Sequence, residues 1–496
     1  RVTAMQCAPA GSASAPHEPD VTVIVLDTLR AGGVLGAWRD QELMPSIHTA
    51  TSAGRDHPRA YSGSNCTPPG HSSLFTGRYP AETGTLSKGH VRLPAEVLTL
   101  AEYLRMFGYT TLGVVSNTRL DSGLGFAQGF EQWDDGLVVD PSGHYYALRR
   151  VANSSLVRAV GGKRLMMRLK ALADATSSAN QHEVTAMMTS ERVGAVLDQE
   201  LGSGTRTAPV HLFVNYIDPH MPYDTRADLA QAFLPNVEDA TMEAARHDMP
   251  KLLGLLYDLA KRLEAGEQPS GSADLAEKLD WVEEAYWEQC RQTDEGLRAL
   301  FGHLQRHGLL DPEDLVLITS DHGEELGENA QFGHGNALFE ESVRVPFLLL
   351  GGGFESGQDQ RLVSLTDFFP TVLVAMGVDE AAWPRLLSGF PLQGRIPDDR
   401  MLRFESGQLR GCLAGHLKMI ALDHGDRLEW THAFDLSVDP LENHNLMLQD
   451  PLPEQVRRFL DRPPITPSSD AVLTIESGSD IDLAALGYAD EVNKPR

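Results

Sequence analysis

Four short apolar runs in this 496-residue chain each stop on a polar side chain. Val21–Leu26 stops at Asp27, Thr110–Val115 at Ser116-Asn117, His211–Ile217 at Asp218, and Leu315–Thr319 at Ser320-Asp321-His322. A continuous β-branched run of this kind is how a strand buried on both faces of a parallel sheet looks. Val345–Leu350 reads as a fifth strand. Helical spacing lies between the runs, in Leu98–Phe107, in Trp281–His307 (core face Leu297, Leu300, Phe301, Leu304) and in Thr366–Met376. Alternating strands and helices predict an α/β fold, a large doubly wound, mixed, mostly parallel sheet flanked by helices. Such sheets bind ligands beyond the carboxyl ends of their strands, where Asp27, Asn117, Asp218 and Asp321 all lie.

The rest of the chain divides around this pattern. Residues 1–20, rich in Ala, Ser and Pro, read as a disordered leader, and residues 21–395 as the catalytic domain, with a polar helical insertion at about 225–280. Residues 396–496 read as a smaller C-terminal α+β subdomain and tail. Its strands are Leu417–Leu422 and Arg427–Leu436, and its helix lies near Glu454–Leu460. A net charge of −27 argues against a nucleic-acid backbone or an anionic membrane as the main partner. The four cysteines are scattered without a CxxC pair, so neither a zinc knuckle nor a disulfide framework is expected. No apolar run approaches the ~20 residues of a membrane span. The leader would suit an exported protein, yet no signal sequence is visible, so cytoplasmic and exported locations both stand.

The segment Thr67-Pro-Pro-Gly-His71-Ser-Ser-Leu-Phe-Thr-Gly77 places a hydroxyl at the end of a Pro/Gly-rich turn, just before a helical run. A helix N-terminus favours anions through its free N–H groups and its dipole. Asp27, Asp321 and His322 supply two carboxylates and an imidazole, a ligand set for a divalent ion. A threonine hydroxyl is a poor nucleophile at neutral pH, and a bound metal ion lowers its pKa and holds it in line with a phosphorus or sulfur centre. His71 would share a helix face with Thr67 and either touch substrate oxygens or cap and pack. His220, in Asp218-Pro-His220-Met-Pro-Tyr223, is a candidate to bind the ester or protonate the leaving oxygen. Asp218 belongs to a second metal or orients its loop. His334, between Gly333 and Gly335, is a candidate metal ligand or anion contact, and Asn117 a turn residue or a ligand donor.

On these residues the chain resembles the sulfatase and alkaline-phosphatase superfamily. The resemblance runs from Val21 to Tyr488 through Val-Leu-Asp27-Thr-Leu-Arg30, Thr67 to Gly77, Gly125-Phe-Ala-Gln-Gly-Phe130 and Asp218 to Tyr223. It continues through Thr319-Ser-Asp321-His322-Gly-Glu-Glu-Leu-Gly327, Phe332-Gly-His334-Gly-Asn336, Arg344-Val-Pro346, Phe434 to Pro440 and Leu486-Gly-Tyr488. It implies a metal-dependent hydrolase or transferase acting on small-molecule phosphate or sulfate esters. One or two divalent ions are expected, zinc or manganese ahead of calcium or magnesium. Sulfatases of the family carry Cys-x-Pro-Ser-Arg, whose cysteine becomes formylglycine; here that position falls on Thr67, with Gly70 and His71 in place of Ser and Arg. Thr28, Asn117 and His334 replace a second aspartate and two lysines. The leading expectation is therefore a phosphate mono- or diester hydrolase with a Thr67 nucleophile. The alternatives are a sulfatase using Cys66 as formylglycine and a phospho-group transferase. A non-catalytic scaffold is disfavoured, because Asp27, Thr67, Asp321 and His322 are all kept.

Overall fold

Val21–Leu26 (β1) is buried at every position, as a central parallel strand must be. The computed structural model describes residues 18–31, 42–86, 91–136, 184–202, 206–221, 223 and 275–460. Seven further strands complete the main sheet: β2 (Arg55–Asp56), β3 (Thr110–Val115), β4 (Gln132–Asp134), β5 (Val210–Tyr216), β6 (Leu315–Thr319), β7 (Phe347–Gly351) and β8 (Gly357–Gln358). Their order is β8-β2-β7-β6-β1-β5-β3-β4. β6, β1, β5, β3 and β4 run parallel to one another, whereas β7 is antiparallel to both its neighbours. The sheet is thus mixed and mostly parallel, with apolar clusters on both faces. Asp27, Asn117, Asp218 and Asp321 follow the same ends of β1, β3, β5 and β6 and meet along one edge.

Local chemistry explains where element bounds differ from the sequence pattern. Pairing on β7 begins at Phe347 and not at Val345, because Pro346 has no N–H to give to the ladder. The helical run expected just after Thr67 already includes it, since prolines are tolerated in a first helical turn. The helix Leu275–Arg306 begins before Trp281 and packs on Ala186–Glu200, a helix with no counterpart in the sequence assignment. A Cβ at Gly296 would stand 2.7 Å from the Ala186 backbone, so glycine lets these two helices approach.

A separate antiparallel sheet of four strands (Met401–Ser406, Leu409–Ala414, Leu417–Asp423, Leu428–Asp435) follows, its first two strands unanticipated. Buried Lys418 pairs with Glu340 and Glu442 at 2.9 Å each, tying this sheet to the short helix Glu340–Val343 that precedes β7. The expected insertion at 225–280, apart from its last residues, lies outside the described residues, as do residues 1–17 of the leader and Leu486–Tyr488. Among the described residues no helix is long and apolar enough to cross a membrane.

Candidate active site

Asp27 leaves β1 through a turn that a β-branched residue adopts only under strain. Thr28 sits at φ 61°, a left-handed conformation that costs a non-glycine residue about 1–3 kcal/mol. The neighbourhood holds it there. Tyr286 OH donates to the Thr28 carbonyl at 3.0 Å and accepts from Arg30 N at 3.0 Å, and Leu29 N donates to Ser320 Oγ at 3.0 Å. The turn directs the Asp27 carboxylate toward the loop after β6, which carries Asp321 and His322.

His322 Nδ1 donates to the Gly323 carbonyl at 2.8 Å, which fixes the proton on that nitrogen. Its Nε2 lone pair then faces Asp27 Oδ1 at 3.7 Å, Asp321 Oδ2 at 3.5 Å and Thr67 Oγ1 at 3.4 Å. Ligand atoms of Asp27, Asp321 and His322 all lie within 4.8 Å of one another. Asp27 Oδ1 and Asp321 Oδ2 are buried without a hydrogen-bond partner. Two such carboxylates side by side are costly unless a cation joins them. Burial and the neighbouring Asp321 push the Asp27 carboxyl well above its usual range. Burial opposes ionisation of Asp321 as well, but His322 and His71 outweigh it and hold that carboxyl low. The donor set and its two orphaned oxygens fit a divalent ion, with Thr67 Oγ1 adjacent.

Thr67 opens a ten-residue helix, Thr67–Thr76, with every residue buried. A Cβ at Gly70 would lie 2.4 Å from the Asp321 carbonyl oxygen, so glycine is what allows the helix to pack against the loop that carries Asp321 and His322. Gly70→Ala is expected to cost about 1–3 kcal/mol of stability, read by denaturant unfolding, and to lower metal affinity with it. The helix start supplies fewer anion-binding donors than its position suggests. Pro68 and Pro69 carry no N–H, and the Gly70 N–H is taken by the Cys66 carbonyl at 3.0 Å. Charge on a substrate must therefore be met mainly by side chains.

Those side chains surround a cavity of about 450 Å³ that Thr67, Asn117, Asp218, His220 and His334 help to line. Asn117 Nδ2 donates to Asp27 Oδ2. Asp218 Oδ1 accepts from Gln289 Nε2 at 2.7 Å and stands outside the Asp27–Asp321–His322 group. His334 Nδ1 donates to Glu324 Oε1 at 2.8 Å, and its ring centroid lies 4.5 Å from that of His322 and 4.9 Å from that of His220. His220 Nδ1 donates to the Met221 carbonyl, and burial, reinforced by His334, pushes its pKa down to about 4. His71 does not line the cavity: its Nδ1 bonds the Thr67 carbonyl at 2.9 Å and approaches Asp321 Oδ2 at 3.3 Å, within a cage of Phe75, Phe126 and Phe213. Cys66 Sγ is directed to Asn65 Oδ1 and Ser406 Oγ, at 3.6 and 3.7 Å.

Two residues here had no assigned role in the sequence. Glu324 stands three residues after Asp321 in a stretch otherwise rich in site residues. Gln289 is a polar residue on the buried face of its helix, beside Tyr286 and Cys290, a mismatch in the amphipathic pattern that marks it.

A sulfatase family model matches residues 19–378. The chain belongs to the sulfatase family. Arylsulfatase K of Rattus norvegicus is 31% identical over 207 residues, covering 37% of this chain and 36% of that protein. Arylsulfatase K of Canis lupus familiaris is 36% identical over 108 residues, covering 22% and 19%. The match thus spans about a third or less of these relatives' length. Among solved structures, BT4656 in complex with its substrate D-glucosamine-2-N,6-O-disulfate gives a TM-score of 0.62 at 17% identity, over 89% of this chain and 96% of that one. The phosphonate monoester hydrolase of Agrobacterium radiobacter gives 0.59 at 18%, over 89% and 94%. These neighbours share the fold, that of the alkaline-phosphatase superfamily. The phosphate ester put first from the sequence is less well supported by these likenesses than the sulfate ester put second.

Proposed function

We propose that this sulfatase-family chain is a metal-dependent ester hydrolase whose scissile group is a sulfate. The observation that carries the site assignment is Thr67 Oγ1, 3.4 Å from His322 Nε2 and beside Asp27 and Asp321. The family match and the arylsulfatase K relatives support sulfate as the group. Asp27, Asp321 and His322 would hold a divalent ion, which when bound supplies Lewis acidity to the hydroxyl and to the group's oxygens. Thr67 gives up its hydroxyl proton to water as Oγ1 attacks the central atom, the bond to the leaving oxygen breaks, and that oxygen takes up a proton. Water then attacks the Thr67 ester and frees the oxyanion, returning the hydroxyl.

His334 is better built than His220 to supply the proton. Its Nδ1 is anchored on a carboxylate, the arrangement that stabilises an imidazolium, whereas buried His220 is neutral at pH 7 and presents Nε2 as an acceptor. His334→Gln is expected to slow turnover by about 10²–10⁴-fold on alkyl esters, and by far less on a nitrophenyl ester whose leaving group needs no proton. A plot of log kcat against leaving-group pKa tests this; parallel loss at every leaving group would return the acid role to another residue.

A second reading keeps the site and replaces sulfur by phosphorus, and a specific observation favours it. Thr67, and not Cys66, faces the Asp27–Asp321–His322 group. Formylglycine hydrate has a second hydroxyl on the carrying carbon with which to expel the group; threonine has none, so its ester must be cleaved by water at the central atom. A panel of nitrophenyl sulfate, phosphate, phosphate diester and phosphonate, on protein re-loaded with zinc, manganese, calcium or magnesium in turn, decides between them. Sulfate turnover as the largest kcat/KM supports the first reading, and phosphate or phosphonate as the largest supports the second.

A further inference from the structure

We infer that Arg119 is a specificity-determining residue and that the ester's leaving group carries an anionic group of its own; the inference rests on the ester-hydrolase reading above. Arg119 belongs to the turn Thr118–Leu120 immediately after β3. Its backbone N–H donates to Asn117 Oδ1 at 2.7 Å, while Asn117 Nδ2 donates to Asp27. One asparagine side chain therefore ties the start of this turn to the carboxylate beside Thr67.

Arg119 lines the cavity, and its guanidinium makes no hydrogen bond or ion pair among the described residues. The chain has 69 acidic against 42 basic residues, and the buried or half-buried arginines Arg30, Arg206, Arg400 and Arg403 each meet a carboxylate, which Arg119 does not among the described residues. It is also the one guanidinium or ammonium among the described residues of the cavity wall. A cation kept half-desolvated and unpaired is matched when an oxyanion arrives, and a guanidinium matches carboxylate, sulfate or phosphate with two parallel hydrogen bonds.

Position says which end of the substrate it meets. Thr67 and Asn117 are 4% and 2% exposed and form the cavity floor, whereas Arg119 is half-buried, two residues farther along the turn. Its greater exposure sets Arg119 outward of Thr67, on the side where the leaving group would sit. Gln292 and Thr185 on the same wall add neutral hydrogen-bonding groups. The substrate class is an alcohol or phenol that carries a carboxylate, sulfate or phosphate beside the scissile ester.

The test compares two nitrophenyl esters, one plain and one with a ring carboxylate, on the full chain loaded with divalent ion. Wild type should prefer the carboxylated ester. Arg119→Ala should lose about 10- to 100-fold in kcat/KM on that ester, chiefly through KM, and less than about 3-fold on the plain one. Arg119→Lys should recover part of the preference, and added salt should weaken it in wild type. Equal losses on both esters would mean that Arg119 serves the scissile group or the fold, and absence of any wild-type preference would remove the second anion; either overturns the inference while leaving the hydrolase reading intact. Turnover of neither ester by wild type would instead overturn that reading, and the inference with it.

Discussion

Thr67→Ala is expected to lose at least about 10³-fold in kcat, because it removes the proposed attacking atom and not merely a contact to substrate. The geometry makes the expectation sharp. Thr67 Oγ1 is 3.4 Å from the lone-pair nitrogen of His322, whereas the neighbouring Cys66 thiol is directed to Asn65 and Ser406. Cys66→Ala should therefore stay within about 3-fold of wild type, because Cys66 lines the cavity but its thiol contacts Asn65 and Ser406, and Thr67→Ser should keep much of the activity because it keeps the hydroxyl. Steady-state kinetics on the best ester of the panel measures all three variants. Peptide mass mapping of Cys66 adds a second readout, with an unmodified thiol expected. Activity retained in Thr67→Ala and lost in Cys66→Ala, together with a mass change at Cys66, would move the nucleophile by one residue and restore the formylglycine mechanism. Metal-induced thermal stabilisation, measured on each variant, separates lost chemistry from a lost site.

How far the sequence announced this site depends on the kind of residue. Asp27, Asp321 and His322 were legible because each follows a run whose pattern is unmistakable: a buried parallel strand stops where its backbone leaves the sheet, and a polar residue there has one edge to face; Thr67 was legible as the hydroxyl at the start of a Pro/Gly-marked helix. Pro68 and Pro69 marked a helix start but concealed its consequence, since they remove the N–H groups that an anion would use. His71 misleads for a geometric reason. A residue four after Thr67 shares its helix face, but the ring turns back to Asp321 and Thr67 O inside an aromatic cage. Glu324 and Gln289 act through partners distant in sequence, His334 and Asp218, and no local pattern encodes such pairs. The strand β7 was visible, but its antiparallel direction was not, because direction depends on the connection and not on the strand's own residues.

Asp27→Asn should separate the cost of the proposed metal-ligand carboxylate from its use. In the metal-free protein Asp27 is fully buried, faces Asp321, and has one oxygen without a hydrogen-bond partner. Burial first, and Asp321 second, raise its folded-state pKa well above the unfolded value. A carboxyl raised in this way favours the folded state most when protonated, at low pH. That contribution is lost as pH rises from the usual carboxylate range through the raised folded value, at about 1.4 kcal/mol per unit of difference. Asparagine keeps the shape and an oxygen to accept from Asn117 but carries no charge. Metal-free Asp27→Asn is thus expected to melt several degrees above metal-free wild type at pH 8, and the gap should close toward pH 4. A divalent ion reverses the order, because it binds the deprotonated carboxylates and stabilises the fold that holds them. Added ion should raise the wild-type melting temperature, more at pH 8 than at pH 6, and leave Asp27→Asn almost unmoved, with turnover reduced at least about 10²-fold. Scanning calorimetry with and without ion at the three pH values measures both halves. A metal-free variant that melts below wild type, or an equal response to ion in both proteins, would take Asp27 out of the metal site and leave Asp321 and His322 to hold it without a third ligand.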